Sequence, residues 1–234
     1  MKKAFSVVKW QYSNIYYIGT SLFAYYLIKD TKFMPTFFGG NGSVYTLANK
    51  RYLEDTTSGM EIYYFIQMGK HIGRLFSHVF IRPEGSYFEY LLHHCLAVFL
   101  IAFSYAMDMW VIGIFVFMVH DASDVFLGHC RAYREYKNRK DIVLNISYVG
   151  VLGSWVGFRI VSMAYCCVYA VWYQCIYSTD VLSQVEKDVF LFPYYFMALM
   201  LSCLLFMHVF WFYYIFESFI SNSTANKAAK HSYD

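Results

Sequence analysis

The residues of this chain that could do chemistry sit where such residues are costly. His93 and His94 are adjacent, and farther along come His120, Asp121 and Asp124 in the run His120-Asp121-Ala122-Ser123-Asp124. Both clusters fall within long apolar stretches, where an ionisable side chain facing hydrocarbon costs from about 2.5 to more than 10 kcal/mol. Five of them in neighbouring stretches need a reason. One is acyl transfer, in which an imidazole charged by a carboxylate takes a proton from an amine or accepts an acyl group. A second is a metal centre, since His and Asp ligate zinc or iron. A third is a buried polar network that only ties two helices together.

The elements that must position these residues follow from composition. The chain is 59% hydrophobic and 15% charged, with a mean hydropathy of +0.36; soluble domains carry about 25% charged residues. The apolar residues fall in runs of roughly the 20 that a helix needs to cross a bilayer. The reading is an all-α polytopic membrane protein with about six transmembrane helices, near 10–28, 60–81, 87–106, 109–129, 143–177 and 189–216. The 24 Tyr, 23 Phe and 5 Trp suit the membrane interface. A net charge of +3 is too small to imply nucleic acid, and six Cys without a CxxC pair give no disulfide or zinc scaffold. One domain covers 1–234, with its core at 60–216 and a short polar tail at 218–234.

Within this frame Lys70, His71 and Arg74 interrupt the second span and must face a bundle interior or a water-filled cavity. The fifth run exceeds one crossing, so it is tilted, kinked or ends at the interface. A polar loop with Phe-Gly-Gly-Asn-Gly at 38–42 joins the first two spans. His71 and His78 read as packing or lining residues, and His129 as interfacial.

The depth of the two clusters can be worked out. The third span starts near Tyr87, so His93 and His94 lie about 10 Å along it. The fourth runs back and ends near His129, which puts His120 about 13 Å from the same end. His120 and Asp124 are four residues apart, and Asp121 and Asp124 three, so all three share a face. Adjacent helical residues point about 100° apart, so one of His93 and His94 faces the cluster. Lys2, Lys3, Lys9, Arg82, Arg131, Arg134, Lys137, Arg139, Lys140, Lys227 and Lys230 fall on the side of the termini. The other side holds Lys29, Lys32, Lys50, Arg51 and Lys187. The positive-inside rule then turns the termini and the 131–140 loop to the cytosol, or to the matrix of a mitochondrion.

His93-His94, Phe103-Ser104-Tyr105, Gly113 and His120-Asp121-Ala122-Ser123-Asp124 together resemble the signature motif of the ceramide synthases, in the TLC-domain family. Arg159 falls at a mid-span arginine of that family, and Met207-His208-Val209-Phe210-Trp211 resembles its closing Leu-His-x-x-Trp element. The resemblance implies a six-helix membrane barrel around a lipid tunnel and amide formation between a fatty acyl-CoA and a sphingoid base. Acyl-CoA is then a co-substrate and no cofactor is bound. It also implies that His93 and His94 supply the base or acyl acceptor, that Asp121 and Asp124 orient and charge imidazoles, and that His120 completes the network. Ser104, Tyr105, Arg159, His208 and Trp211 become substrate-binding candidates, and the basic 131–140 loop could attract the anionic CoA.

Departures accompany the likeness. Asp108 stands where Asn is usual and Val111 where Arg is frequent. The Leu-Glu-x-x-Lys tail reads Leu127-Gly128-His129-Cys130-Arg131, and Gln67 and His71 replace an acidic and an aromatic residue. The chain also begins at the six-helix core, without the preceding span and homeobox-like region of many members. Two expectations therefore stand: an N-acyltransferase of the endoplasmic reticulum, or a drifted structural or lipid-binding subunit of a larger membrane assembly, in a mitochondrial inner membrane. Membrane lipids are partners in both, and other membrane subunits in the second.

Overall fold

A computed structural model describes residues 2–43, 58–81, 86–136, 139–177 and 184–231. Arg82, Lys137, residues 44–57 of the first loop and the last residues of the polar tail lie outside these. The described elements form six helical rods. They are α1 (Lys2–Ile28), α2 (Ser58–Phe76) with a π-helical end at Ser77–Ile81, α3 (Tyr87–Ala106) and α4 (Trp110–Arg134). The fifth rod is α5 (Asp141–Ser154), two π-helical stretches at Trp155–Ser162 and Ala164–Tyr169, then α6 (Ala170–Tyr177). The sixth is α7 (Gln184–His231), so residues 218–231 continue its helix.

Tyr87–Ala106, Trp110–Arg134, Asp141–Tyr173 and Phe192–Ser221 are long and apolar enough to cross a bilayer by length and composition alone. The protein is an all-α, multi-pass membrane protein. The rods of α1 and α2 fall short of that measure, yet they pack among the spanning helices. Side-chain pairs give their order and direction. Asn14 meets Gly128, Thr20 meets Asp121 and Phe33 meets Phe115, so α1 runs antiparallel to α4. Phe23 meets Tyr63 and Arg74 meets Tyr17 between α1 and α2, while Tyr64 meets Ser104 and His78 meets Tyr87 between α2 and α3. Phe99 and His93 of α3 face Phe196 and Trp211 of α7; Trp155 and Trp172 of the fifth rod face His208 and Ser202. Arg159 returns to Asp124 on α4 and closes the ring. Each rod is antiparallel to the two beside it in this ring, and the six rods enclose a barrel.

The far end of the barrel, opposite the chain termini, is stoppered by the segment after α1. A 3-10 turn at Thr36–Phe38 ends on Gly39 at φ 80°, a left-handed conformation open to glycine at no steric cost. The turn sets Phe38 edge-on to Phe115 at 5.3 Å, beside Phe33 at 5.5 Å. The α3–α4 hairpin turns at Asp108, φ 56°, whose carboxylate accepts from Trp110 Nε1 at 3.2 Å. Asn and Asp are the non-glycine residues that enter this region most readily.

The basic cluster is placed differently from the expectation of a loop. Arg131 and Arg134 belong to the last turn of α4, which extends to Arg134 instead of ending near 129. Cations suit the negative end of the helix dipole.

Candidate functional site

A cavity of about 560 Å³ fills the basic half of the barrel, and all six rods contribute to its wall. Along α3 it reaches from Ser86 at the rim to Leu100 at the floor, a rise of about 21 Å. The wall changes character with depth. Arg74, Arg131, Glu89 and Trp10 surround the mouth, His93, His94, His120 and Arg159 form a belt, and Leu100, Val116, Phe117 and Leu204 make the floor.

His120, Asp121 and Asp124 all line this space, but each has its own partner. Asp121, buried to 3% exposure, accepts from Thr20 Oγ1 at 2.6 Å, Gln67 Nε2 at 2.7 Å and Lys70 Nζ at 2.7 Å. Lys70 in turn lies over the rings of Tyr16 and Tyr17, at 4.8 and 4.6 Å. Asp124 pairs with Arg159, whose guanidinium also donates to Ser123 Oγ at 2.5 Å and to the His120 carbonyl at 3.2 Å while lying 4.3 Å over Trp155. Among the described residues neither carboxylate hydrogen-bonds an imidazole, contrary to the role expected for them. The reason is electrostatic: a bare carboxylate in a low-dielectric interior needs a charged, multiply donating partner, and α2 and the π-helical stretch each bring one.

The imidazoles are tied mainly to one another and to carbonyls. His120 Nδ1 lies 2.6 Å from the Val116 carbonyl and must donate to it, which leaves Nε2 to accept. His208 Nε2, 3.1 Å away, is then the donor, and its buried Nδ1 has no hydrogen-bond partner among the described residues. His208 stands behind the wall, fully buried, with its backbone carbonyl held by Trp155 Nε1 at 3.0 Å.

His93 differs. Its ring packs edge-on against Trp211 at 5.0 Å and stands 6.5 Å from His208, and its buried Nδ1 has no partner among the described residues. His94 is 5.5 Å away and turns toward His78 at 5.7 Å, so both members of the pair reach the cavity from different sides. His78 is a buried packing residue beside the carbonyl of Tyr87 at 3.0 Å. His71 lines the cavity, and His129 stacks on Tyr133 at the periphery.

Two sequence candidates do not join the site. Ser104 lies below the floor, bonded within 3.1 Å of Tyr64 Oη, and Tyr105 reaches Glu61 at 3.3 Å near the far end. Both stand one or more turns past Leu100 on α3, beyond the cavity. In exchange the fold recruits Thr20, Gln67, Lys70, Arg74 and Arg131. Lys70 and Arg74 carried a signal, because cations inside a span must face polar surroundings. Gln67 stood out only as a departure from the resembled family, and Thr20 carried no signal, being ordinary in any helix. Among the described residues no three His, Cys, Asp or Glu converge on one point as a metal site requires.

Known proteins match the same frame. The family model of the TLC domain matches residues 7–217. Ceramide synthase hyl-2 of Caenorhabditis elegans is 29% identical over 163 residues, covering 66% of this chain and 47% of that protein. Human ceramide synthase 4 is 30% identical over 152 residues, 64% of this chain and 35% of that protein. Ceramide synthase 1 LOH3 of Arabidopsis thaliana is 27% identical over 165 residues, 68% and 50%. The chain thus spans half or less of the length of these relatives. The barrel of six rods, the belt of motif histidines and the match across 7–217 agree: this chain belongs to the TLC-domain family and is ceramide synthase-like.

Proposed function

We propose that the protein is an acyl-CoA-dependent N-acyltransferase that joins a fatty acyl group to the amine of a sphingoid base within the membrane. The observation that carries this reading is the place of His93. Its ring lines the cavity where the charged mouth gives way to the apolar floor, and its Nδ1 has no partner among the described residues. A cavity of about 560 Å³ is within the usual range for small-molecule sites, about 300–1,000 Å³.

In this mechanism the acyl chain lies along Ala97 and Leu100, the thioester carbonyl reaches His93, and the CoA phosphates stay at the mouth near Arg74 and Arg131. The amine nitrogen attacks the carbonyl carbon while His93 takes its proton. The new C–N bond forms, the C–S bond breaks, and the proton passes from His93 to the departing thiolate. Arg159 and Asp124 hold the His120 turn in place, so they position the belt without touching the reacting atoms. The endoplasmic reticulum is the compartment this activity calls for, with the basic mouth toward the cytosol.

One observation favours a second reading. Both carboxylates already have cations of their own, and neither hydrogen-bonds an imidazole among the described residues. A drifted, lipid-binding subunit of a larger membrane assembly, in a mitochondrial inner membrane, would keep such a barrel for a phospholipid. The deciding experiment measures transfer from a panel of acyl-CoAs to sphingoid bases in membranes lacking other ceramide synthases, for wild type and His93→Ala at matched expression. Activity that disappears in the variant supports the enzyme. A folded wild type silent across the panel sinks it and leaves the lipid-binding subunit.

A further inference from the structure

The helix faces that carry the histidines continue below the cavity floor. On α3 the face runs His93, Ala97, Leu100, Ser104; on α4 it runs His120, Val116 with Phe117, then Gly113; on α7 it runs Leu204, Leu201, Met197. Steps of three and four residues keep each set on one side of its helix. Below the floor these faces enclose a second space of about 30 Å³, lined also by Ile101 and Ile112. Its one polar side chain is Ser104, already engaged by Tyr64 Oη at 3.1 Å and by the Ile101 carbonyl at 3.1 Å.

Leu100, Val116 and Phe117 border both spaces, so they are the partition between them. Phe117 is its bulk: the ring stands 6.1 Å from His71 on the cavity side and 5.8 Å from Tyr64 on the other. At Gly113, on the wall of the inner space, the Tyr64 hydroxyl stands where a Cβ would be.

We propose that Phe117, with Leu100 and Val116, is the determinant of acyl-chain length, a partition in a bore that otherwise continues from His93 to Tyr64. From His93 to Leu100 the bore runs about 10 Å, and from Leu100 to Ser104 about 6 Å more. Below the partition the described lining is apolar apart from Ser104, whose hydroxyl is already engaged, so hydrocarbon is the fitting occupant. The proposal rests on the acyltransferase reading, and its test separates the two.

Phe117→Ala and Leu100→Ala are each assayed with acyl-CoAs of increasing chain length. In both variants the length with the highest kcat/KM is expected to shift upward by several carbons. Leu201→Phe, which fills only the inner space, leaves the wild-type optimum unchanged and returns the optimum of Phe117→Ala to it in the double variant. General loosening of the barrel would not reverse on filling one remote space. An unchanged optimum in a folded Phe117→Ala or Leu100→Ala overturns the proposal, as does a shift that Leu201→Phe fails to reverse. A wild type with no transferase activity defeats the acyltransferase reading instead. The partition is then tested by mass spectrometry of lipid retained by the purified proteins: longer chains in Phe117→Ala support it, and an identical distribution overturns it.

Discussion

Asp121 and Asp124 look alike in sequence, yet the molecule treats them as two separate ion pairs. Lys70 and Asp121 are 13% and 4% exposed as side chains, and the carboxylate takes two further neutral donors. Removing one partner of a buried pair leaves the other charge uncompensated, at about 3–5 kcal/mol, whereas removing both costs far less. Lys70→Met and Asp121→Asn are therefore each expected to lower thermal stability in detergent by that order. The double variant should regain more than half of the loss, since the Asn oxygen still accepts from Thr20 and Gln67. Two additive losses would show that the pair is not coupled. Arg159 makes a different prediction, because its planar fork serves Asp124, Ser123 and the His120 carbonyl at once. Lysine can replace the charge but not the fork. Arg159→Lys should destabilise by about 1–3 kcal/mol through the lost hydrogen bonds and displace the turn that carries His120, lowering kcat more than it raises KM. Wild-type kinetics in Arg159→Lys would remove Arg159 from the positioning role.

At the scale of elements, close helix contacts and local irregularities aim the side chains. A Cβ on Gly113 would overlap the Tyr64 hydroxyl, and one on Gly128 would overlap Asn14. These two glycines let α4 be approached closely by α2 and α1. Gly113→Ala is expected to cost about 1–3 kcal/mol through overpacking, and Tyr64→Phe, which removes the obstructing oxygen, should recover part of it. Thermal melts of both single variants and the double check this; no recovery would mean that the contact is not the cause. The fifth rod widens into π-helix at Trp155–Ser162, and such turns occur often at functional sites. There the wider turn presents Arg159 to Asp124, an outcome that the length of the apolar run from 143 to 177 signalled only as a tilt, a kink or an interfacial end.

The whole molecule is a ring in which every neighbour is antiparallel, so an even number of rods brings both termini to the basic end. With that end toward the cytosol or matrix, tags at either terminus should be reached by protease on that side of sealed membranes. A tag at Asn41, in the stopper after α1, should be protected. Termini on opposite sides would break the ring as described. On α2 the residues that break the apolar run, Lys70, His71 and Arg74, line the cavity, and α3, α4, α5–α6 and α7 supply the strongly apolar crossings.

The apolar runs were enough to place six helical rods, because a helix in hydrocarbon must be long, continuous and internally hydrogen-bonded, but α1 starts at Lys2 instead of near 10 and α7 runs to His231 instead of ending near 216. Motif spacing likewise brought His93, His94, His120, Asp121 and Asp124 to one depth, since helical rise is nearly constant. Sequence could not say which partner each would take. The partners of Asp121 come from α1 and α2, that of Asp124 from the fifth rod and that of His120 from α7, so they depend on which rods are neighbours in the ring. Ser104 and Tyr105 show the same limit from the other side: they belong to the motif, but seven or more residues of rise carry them past the floor. Linear order determined the rods and the height of each side chain; closure of the ring decided what each side chain meets, because contacts between rods are set by the packing of their faces and not by their sequence separation.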